Sequence, residues 1–340
     1  MLRVAVSDET RRADGGSVFD LSLLQETPGT EWRLYPGGRR EVLPADVQGC
    51  FAALVWAGRI TEKTVAGAHP PLLIARLGAG YDAVDIEACT RSGVVVTTAP
   101  DGVRRPLASG AMALVLAVAH RIRERDREVR NGVWSRFSNL GVGLTGRSLG
   151  LIGLGNVGRE IAALAQPFGM VTIAHDPHVP AAPAGVELVS VETVMRESDF
   201  VVIVCSLTEE TRGLVGEAQL RLMKPSAFLV NVARGPIVDQ AALTSALQER
   251  RIAGAALDVF AQEPIGRDDP LLELENVILS PHAIGISDEM VERCGQSASR
   301  SVLSLFHGGV PECVVNPTAL QHPRVKGWLA SRNPVPSDTA

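Results

Sequence analysis

The sequence predicts an α/β protein with two Rossmann-like domains, each built on a doubly wound parallel sheet. Short apolar runs rich in valine, alanine and leucine alternate with amphipathic stretches, which is typical of strands joined by crossover helices. Two separate series of such runs are present, with a long apolar stretch from Leu107 between them. At 340 residues, the chain is also long enough for about two domains.

The first series of predicted strands lies in the N-terminal part of the chain. The predicted strands are 2–6, 52–56, 72–75 and 94–97, with helices predicted at 61–68 and 85–92. Small and β-branched apolar residues dominate the strands, as expected where both faces of a parallel sheet are buried. One long helix is then predicted over 107–130, because small apolar residues at its start give way to charged residues at its end.

The second series follows a turn-rich segment. The predicted strands are 148–152, 171–174, 200–204, 227–231, 253–257 and 277–280, and the predicted helices are 156–168, 241–250 and 287–306. This alternation is typical of a Rossmann domain. The proline-rich last ~20 residues are expected to lie over the surface or to be loose.

Composition restricts the classes of protein. Hydrophobic residues make up 46% of the chain and charged residues 21%, which is enough apolar material for substantial cores. The net charge of −5 provides no broad basic field, so no nucleic-acid partner is expected. The arginines within 121–130 alternate with acidic residues, which favours a solvated helix face. The apolar run 107–120 is too short to span a membrane, and a buried helix is expected there.

The cysteines indicate a reducing compartment. All five are far apart in sequence, so neither a disulfide framework nor a metal site is expected. The N-terminal residues also lack the layout of a signal peptide. The sequence therefore predicts a cytoplasmic protein.

Two segments match the pattern G-x-G-x-x-G, and their context separates them. The first, 141–146, precedes a predicted strand and is interpreted as a plain loop. The second, 153–158, follows the strand 148–152 and opens a helix, as a dinucleotide-binding loop must. Gly153 permits the tight turn, Gly155 lets the backbone approach a pyrophosphate, and Gly158 permits close helix packing. Asn156 and Val157 begin the helix whose N-terminus favours the phosphates.

Asp176 is the candidate ribose ligand. It follows the next predicted strand, 18 residues after Gly158, which is close to the spacing expected of the acid that binds the ribose hydroxyls. A 2′-phosphate would meet its carboxylate, and no arginine follows among Pro177, His178 and Val179. NAD is therefore favoured over NADP.

Three further segments with polar side chains follow predicted strands in the C-terminal half. Arg234 lies in Asn-Val-Ala-Arg-Gly, Asp258 and Glu263 lie in Leu-Asp-Val-Phe-Ala-Gln-Glu-Pro, and His282 lies in Ser-Pro-His. Ligands of an open parallel sheet bind beyond the carboxyl ends of its strands. These side chains are therefore expected to meet the reactive end of the cofactor.

With these blocks, the sequence resembles the D-isomer-specific 2-hydroxyacid dehydrogenase family, of the phosphoglycerate dehydrogenase and glyoxylate/hydroxypyruvate reductase type. The resemblance runs from about residue 74 to 316 and also includes Arg-Leu-Gly-Ala-Gly-Tyr-Asp at 76–82 and Leu-Thr-Glu-Glu-Thr-Arg at 207–212. It implies hydride transfer between NAD and a small D-2-hydroxy or 2-oxo acid. It also implies a homodimer, and a discontinuous substrate domain (1–103 and 286–316) around an NAD domain (104–285), followed by a tail (317–340).

The resemblance also implies the role of each site residue. His282 resembles the general acid/base, Glu263 its partner, and Arg234 the guanidinium that binds the substrate carboxylate and polarises the carbonyl. Asp258 resembles the acid that holds the nicotinamide carboxamide, and Thr208 is expected among the cofactor contacts. The backbone of the loop resembles the site for the substrate carboxylate, and its residues are Arg76, Leu77, Gly78, Ala79 and Gly80.

Some alternatives stay open at this point. Arg76, Arg104 and Arg105 could recognise a second anionic group, as in 3-phosphoglycerate, or Arg104 and Arg105 could be ordinary surface residues near a hinge. A second class of protein is also compatible with the same residues, since NAD(H)-sensing corepressors resemble this family and retain its arginine, glutamate and histidine. Turnover would distinguish such a sensor from an enzyme.

Overall fold

The structure is a computed structural model that describes residues 1–332. Two compact units make up the chain. The first comprises Met1–Val103 and the described chain from Ser287 onward, and the second comprises Arg104–Ile286. The second unit is thus inserted in the sequence of the first.

Parallel strands and short helices alternate in both units. The strands are β1 (Leu2–Ser7), β2 (Thr30–Tyr35), β3 (Ala52–Val55), β4 (Leu73–Arg76), β5 (Val95–Thr97), β6 (Ser148–Ile152), β7 (Val171–His175), β8 (Val186–Leu188), β9 (Phe200–Ile203), β10 (Phe228–Asn231), β11 (Gly254–Leu257) and β12 (Val277–Leu279). The helices are α1 (Ser22–Gln25), α2 (Pro44–Val47), α3 (Glu62–Val65), α4 (Ile86–Arg91), α5 (Pro100–Ala119), α6 (Ile122–Arg130), α7 (Asn156–Ala165), α8 (Val191–Glu197), α9 (Glu217–Leu220), α10 (Gln240–Gln248), α11 (Asp288–Phe306) and α12 (Pro323–Arg332).

The first unit is built on a five-stranded parallel sheet in the order β2-β1-β3-β4-β5. Of the four predicted strands, β1, β3 and β4 lie in its interior and β5 lies at one edge. β3 is fully buried. β2 was missed by the sequence analysis. It is an edge strand whose residues are mostly exposed or half-buried, so Thr30–Tyr35 lacks the apolar run that marked the other strands. The strand order reverses between β1 and β3, which makes the carboxyl ends of these strands the expected ligand edge.

The second unit is built on a seven-stranded parallel sheet in the order β12-β11-β10-β9-β6-β7-β8. The order reverses between β6 and β9, so the glycine-rich segment after β6 lies at the switch point. β8 was missed for the same reason as β2, since it is a short edge strand without a fully buried residue. Segment 141–146 is a loop before β6, as predicted.

The prediction of one continuous helix over 107–130 is wrong in two respects: the helix begins earlier, and it is interrupted. The structure has α5 beginning at Pro100, and the helical path breaks at Arg121, which has a left-handed φ of 54°. α5 is long and apolar enough to cross a membrane by length and composition, and 56% of its most apolar window is buried. Ala108, Ala111 and Val115 are fully enclosed in the core of the second unit. We therefore interpret α5 as a core helix.

The segment expected to lie over the surface or to be loose is helical as far as the structure describes it. Residues 317–321 form a 3-10 helix and α12 follows, so this part of the predicted tail belongs to the first unit. Trp328 holds this segment in place, because its ring packs against Phe51 and Phe306 and its indole N–H donates to the Leu305 carbonyl (2.8 Å). The remainder of the predicted tail, 333–340, lies outside the described residues.

Candidate active site

The glycine-rich loop of the second unit joins β6 to α7. Gly153 has a φ of +106°, and a Cβ there would come within 2.6 Å of the Cys205 backbone nitrogen. A Cβ at Gly158 would lie 2.3 Å from the Gly153 carbonyl oxygen. Both positions therefore require glycine for the backbone itself. Gly155 is different, because nothing lies within 4 Å of the position its Cβ would take.

This open space suits a dinucleotide. Gly155 is the N-cap of α7 and provides no side-chain hydrogen bond to the first turn. The first-turn N–H groups, beginning at Asn156 and Val157, are the groups that a helix leaves free to bind an anion. The loop therefore has free space at Gly155 and tight backbone packing at Gly153 and Gly158. This arrangement fits the pyrophosphate of a nicotinamide dinucleotide.

Asp176 lies beside this loop, directly after β7. Its Oδ2 accepts a hydrogen bond from the Leu154 N–H (2.7 Å), and its Oδ1 accepts one from the His178 N–H (3.0 Å). The carboxylate is therefore fixed against the glycine-rich loop, as a ribose ligand requires.

Thr208 lies in a compact turn after β9. Its N–H donates to Oγ1 of Thr211 (2.8 Å), and that hydroxyl donates to the Ser206 carbonyl (2.7 Å). These bonds hold the backbone of the turn at the carboxyl edge of the sheet. The strand that precedes the turn, β9, is the neighbour of β6 in the sheet.

Asp258 is almost fully buried, at 2% exposure, just beyond β11. Its Oδ1 accepts hydrogen bonds from the N–H groups of Ala283 (2.9 Å) and Ile284 (3.1 Å). Its carbonyl accepts a hydrogen bond from the His282 N–H (2.8 Å). Asp258 therefore joins the end of β11 to the segment after β12 that carries His282.

Glu263 and His282 form the central pair of the site. The distance between His282 Nδ1 and Glu263 Oε2 is 2.8 Å, and the two side chains are 45% and 37% exposed. The other carboxylate oxygen of Glu263 accepts a hydrogen bond from the Phe260 N–H (3.1 Å). His282 has a left-handed φ of 53°, which is uncommon for a residue with a side chain and marks a position held by its surroundings.

The environment of Glu263 favours its ionised form. Burial raises the pKa of its carboxyl, but the hydrogen bonds from His282 and Phe260 and the charges of His282 and Arg234 outweigh that effect. The net result is a pKa below the usual value. Glu263 therefore presents a carboxylate to the imidazole near neutral pH.

Arg234 follows β10 and is half-buried. Its Nη1 donates to the Ala233 carbonyl (2.7 Å), and its own carbonyl accepts a hydrogen bond from Nδ2 of Asn231 (3.1 Å). Its charge acts on the carboxyl of Glu263, which places it in the same electrostatic environment. The second unit thus brings together the arginine, glutamate and histidine that the sequence singled out.

Two supporting residues were missed by the sequence analysis. Asn231 is buried and also accepts a hydrogen bond from the Ala233 N–H (3.0 Å), so it shapes the turn that carries Arg234. Oε1 of Gln240 accepts a hydrogen bond from the Ala261 N–H (2.8 Å) and supports the segment before Glu263. Asn231 could have been found, since it is the only polar residue of its predicted strand.

The predicted substrate loop belongs to the first unit. Arg76 ends β4, and its Nε donates to the Gly80 carbonyl (3.2 Å), which closes the loop 76–80. The Leu77 N–H donates to the Val55 carbonyl (3.1 Å). Within the described chain, no acceptor takes the N–H groups of Gly78, Ala79 or Gly80. The loop therefore offers backbone donors at a strand end, which suits an anionic group.

Arg104 and Arg105 share one acidic partner. Arg104 Nη1 lies 3.9 Å from Oε2 of Glu160 on α7, and Arg105 Nη1 contacts the other oxygen of the same carboxylate. Glu160 is 18% exposed, whereas the two arginines are about half-exposed. Arg104 and Arg105 are therefore surface arginines that share one carboxylate of a neighbouring helix.

Comparison with known proteins identifies the family. A family model described as "D-isomer specific 2-hydroxyacid dehydrogenase, NAD binding domain" matches residues 112–283. A glyoxylate reductase of Korarchaeum cryptofilum is 40% identical over 293 residues, covering 84% of this chain and 88% of that relative. The chain belongs to the D-isomer specific 2-hydroxyacid dehydrogenase family. It is accordingly an oxidoreductase that uses a nicotinamide cofactor on a 2-hydroxy or 2-oxo acid.

Two further similarities agree with this assignment. A D-3-phosphoglycerate dehydrogenase of Methanocaldococcus jannaschii is 36% identical, and the match covers 87% of this chain but 57% of that relative. A crystal structure of a protein from Thermus thermophilus superimposes with a TM-score of 0.82 at 31% identity, covering 92% of this chain and 100% of that chain. The two-unit α/β architecture predicted from the sequence is thus confirmed.

Proposed function

We propose that this enzyme reduces a small 2-oxo acid with an uncharged side chain, such as glyoxylate, with NADH and with His282 as the general acid. The single observation that carries the proposal is the 2.8 Å contact between His282 Nδ1 and Glu263 Oε2. Because a carboxylate only accepts hydrogen bonds, Nδ1 carries the proton in this pair. Nε2 is then the nitrogen left to serve the substrate.

The proton balance assigns a state to each residue. When bound, the nicotinamide cofactor supplies the hydride to C2 of the 2-oxo acid. His282 begins as the imidazolium and donates its Nε2 proton to the carbonyl oxygen, which yields the 2-hydroxy acid and a neutral imidazole. Glu263 favours the imidazolium by its negative charge and holds the ring by its hydrogen bond. In the oxidative direction, the neutral Nε2 accepts the hydroxyl proton.

Arg234 is proposed to bind the substrate carboxylate and polarise its carbonyl. A guanidinium presents paired donors that match a carboxylate and stabilise the negative charge that develops on the oxygen during reduction. The N–H groups of 77–80 are proposed as donors to an anionic group of the substrate, supported by the lack of an acceptor for those of Gly78, Ala79 and Gly80 among the described residues. Arg76 is proposed to hold that loop, supported by its hydrogen bond to the Gly80 carbonyl.

NAD is proposed in preference to NADP. The Asp176 carboxylate beside the glycine-rich loop would accept hydrogen bonds from the ribose hydroxyls and repel a 2′-phosphate. The cradle of Gly153, Gly155, Asn156, Val157 and Gly158 is proposed to hold the pyrophosphate. Thr208 is proposed as a further cofactor contact, and Asp258 as the group that holds the nicotinamide carboxamide.

The two structural units support separate domains for the cofactor and for the substrate. We propose that the NAD-binding domain is 104–285 and that 1–103 with 286–316 forms the substrate domain. The division of the structure after Val103 and after Ile286 supports these boundaries. The described part of 317–340 packs with the first unit, so we assign it to the substrate domain as well. A cytoplasmic location also stays a proposal, supported by five free cysteines.

The choice of a small, uncharged side chain rests on the arginines. Recognition of a phosphate would need cations that point towards it. Arg104 and Arg105 both contact Glu160 on α7, and this shared contact disfavours their use for the phosphate of 3-phosphohydroxypyruvate. The similarity to a glyoxylate reductase, over most of both chains, favours glyoxylate or a 2-oxo acid of similar size.

A homodimer is proposed, with a surface that we call the aromatic arm, residues 129–140 from the end of α6 onward. Trp134, Phe137 and Leu140 are 80%, 84% and 72% exposed, and clustered exposed apolar side chains of this kind mark protein–protein contact sites. The same surface carries Arg125, Glu128 and Arg136, so two copies related by a two-fold axis could also pair their charges. Light scattering tests this: we expect a dimer for the wild type and a monomer for the double variant Trp134→Glu, Phe137→Glu. An unchanged mass would reject this surface.

The function is tested by NADH consumption on a panel of 2-oxo acids. The panel comprises glyoxylate, hydroxypyruvate, pyruvate, phenylpyruvate, 2-oxoglutarate and 3-phosphohydroxypyruvate, each also tried with NADPH. Fastest turnover of glyoxylate or hydroxypyruvate with NADH is the expected result. Preference for 3-phosphohydroxypyruvate would overturn the substrate assignment. Tight NADH binding without turnover of any substrate would favour the sensor alternative over the enzyme.

A further inference from the structure

A large side chain lies beside the substrate loop at the carboxyl edge of the first sheet. The strand order reverses between β1 and β3, and ligands of such sheets bind beyond the carboxyl ends at that point. β3 ends at Val55, and its neighbour β4 ends at Arg76. The Val55 carbonyl accepts a hydrogen bond from the Leu77 N–H, so the chain that leaves β3 lies beside the chain that leaves β4. The residue after β3 is Trp56.

Trp56 lies over the first glycine of the loop. Its Cζ3 is 3.7 Å from the position that a Cβ would occupy at Gly78. The indole edge is therefore in van der Waals reach of the backbone whose N–H groups have no acceptor among the described residues. The ring therefore lies beside the backbone that would hold a ligand at those N–H groups.

The ring is also held in place. Its centroid lies 5.3 Å from that of Phe19, with a tilt of 50° between the planes. Phe19 is 5% exposed and belongs to the core of the first unit, so it cannot move aside without opening that core. Trp56 is only partly buried, which leaves part of the ring facing outward. A large ring packed on a buried neighbour makes a rigid wall.

We infer that Trp56 sets the upper limit on the size of the substrate side chain by forming the wall beside the 77–80 loop. The inference rests on the proposed function, because it requires an anionic group of the substrate to bind that loop. Hydrogen, methyl and hydroxymethyl substituents at C2 then fit, whereas the benzyl group of phenylpyruvate collides with the indole. Trp56 acts by exclusion, so its removal should widen specificity without removing catalysis.

The test compares two variants with a matched control. Trp56→Ala removes the wall, and Trp56→Leu removes part of it while keeping an apolar contact with Phe19. Trp32→Ala is the control, because Trp32 also packs against the core of the first unit but lies within the edge strand β2, away from the strand ends. Thermal unfolding of each variant shows whether it has folded.

The readout is the ratio of kcat/KM for phenylpyruvate to kcat/KM for glyoxylate. We expect Trp56→Ala to raise this ratio by about 10- to 100-fold, with a smaller rise for Trp56→Leu and none for Trp32→Ala. An unchanged ratio in both folded Trp56 variants would overturn the inference, and so would an equal rise in Trp32→Ala.

Failure of the proposed function would be seen separately. If the wild type turns over none of the 2-oxo acids, that proposal fails, and the wall is tested by calorimetric binding of phenylpyruvate in the presence of NADH. Binding gained by the Trp56 variants and absent from the wild type would support the wall. Equal binding, or none, in all three proteins would overturn it.

Discussion

The imidazole Nδ1 of His282 lies 2.8 Å from the carboxylate of Glu263, although the two residues leave different strands. The contact depends on Asp258, whose backbone carbonyl and carboxylate accept hydrogen bonds from the segment 282–284. A pair of this kind supplies a proton and fixes the tautomer that delivers it.

Replacing Glu263 by glutamine should change the pH dependence of turnover as well as its rate. The neutral amide cannot hold the imidazole by its charge and does not titrate, so kcat should drop by about 10²-fold and the loss of activity that accompanies protonation of Glu263 at acidic pH should disappear. In the wild type, the pKa of Glu263 is below its usual value of 4.5, so its charge should not limit the rate until the pH falls below that value. Glu273→Gln, an exposed carboxylate of the same unit, is the control. Identical pH profiles for Glu263→Gln and the wild type would contradict this role.

Two glycine-to-alanine variants should separate cofactor binding from folding. Gly155→Ala should fold normally and lose NADH affinity by about 10-fold or more, because its Cβ would enter space that only a ligand would fill. Gly158→Ala should lower thermal stability, because its Cβ would lie 2.3 Å from the Gly153 carbonyl oxygen. Gly143→Ala, in the loop that shares the sequence pattern, should change neither property. NADH titration and thermal unfolding check all three, and unchanged NADH affinity in Gly155→Ala would place the cofactor elsewhere.

Asp176→Ala should shift the cofactor preference. Loss of the carboxylate removes hydrogen bonds to the ribose and the repulsion of a 2′-phosphate, so the NADPH to NADH ratio of kcat/KM should rise by about 10-fold or more. The exposed Asp268 provides the control substitution to alanine. A cofactor ratio that stays at the wild-type value would show that Asp176 does not face the ribose.

Asp199 should contribute to stability rather than catalysis. It lies at the amino ends of the strands, with its carboxylate bonded to the Ser148 N–H (3.0 Å), Lys224 (3.2 Å) and Arg147 (3.4 Å). Burial raises the pKa of this carboxyl, but the bonds to Ser148 and Lys224 outweigh it and lower the pKa from 3.8. The ionised form therefore stabilises the fold above about pH 4, and that contribution is lost as the pH falls further.

Asp199→Asn should accordingly lower the free energy of unfolding by about 1–3 kcal/mol at neutral pH. Urea denaturation at pH 7 and pH 3 checks this, with Asp268→Asn as the exposed control. The difference from the wild type should shrink at the lower pH. A difference that is constant across this range would show that the charge of Asp199 makes no contribution.

The sequence predicted all strands except β2 and β8, and it singled out the candidate site residues, because both leave local signals. A parallel strand such as β10 is a continuous apolar run, and Arg234 follows it within a recognisable block. The edge strands β2 and β8 leave no such run, since one or both faces meet solvent. The break at Arg121 was also invisible, because its left-handed φ of 54° depends on packing rather than on any local turn residue.

Contacts between residues distant in sequence could not be predicted either, because they depend on the tertiary fold. Glu160, which contacts Arg104 and Arg105, is 55 residues beyond Arg105 and carries no motif of its own. Trp56 likewise gave no signal, since its position beside Gly78 follows from the order of strands in the sheet.

The most direct test of the account is glyoxylate reduction by His282→Ala, measured with saturating NADH beside the wild type and the exposed His120→Ala control. If His282 is the general acid, turnover should fall by about 10²–10⁴-fold in His282→Ala while NADH affinity stays within about threefold and His120→Ala matches the wild type. Wild-type turnover in a folded His282→Ala variant would contradict the assignment of the acid, and with it the proposed mechanism.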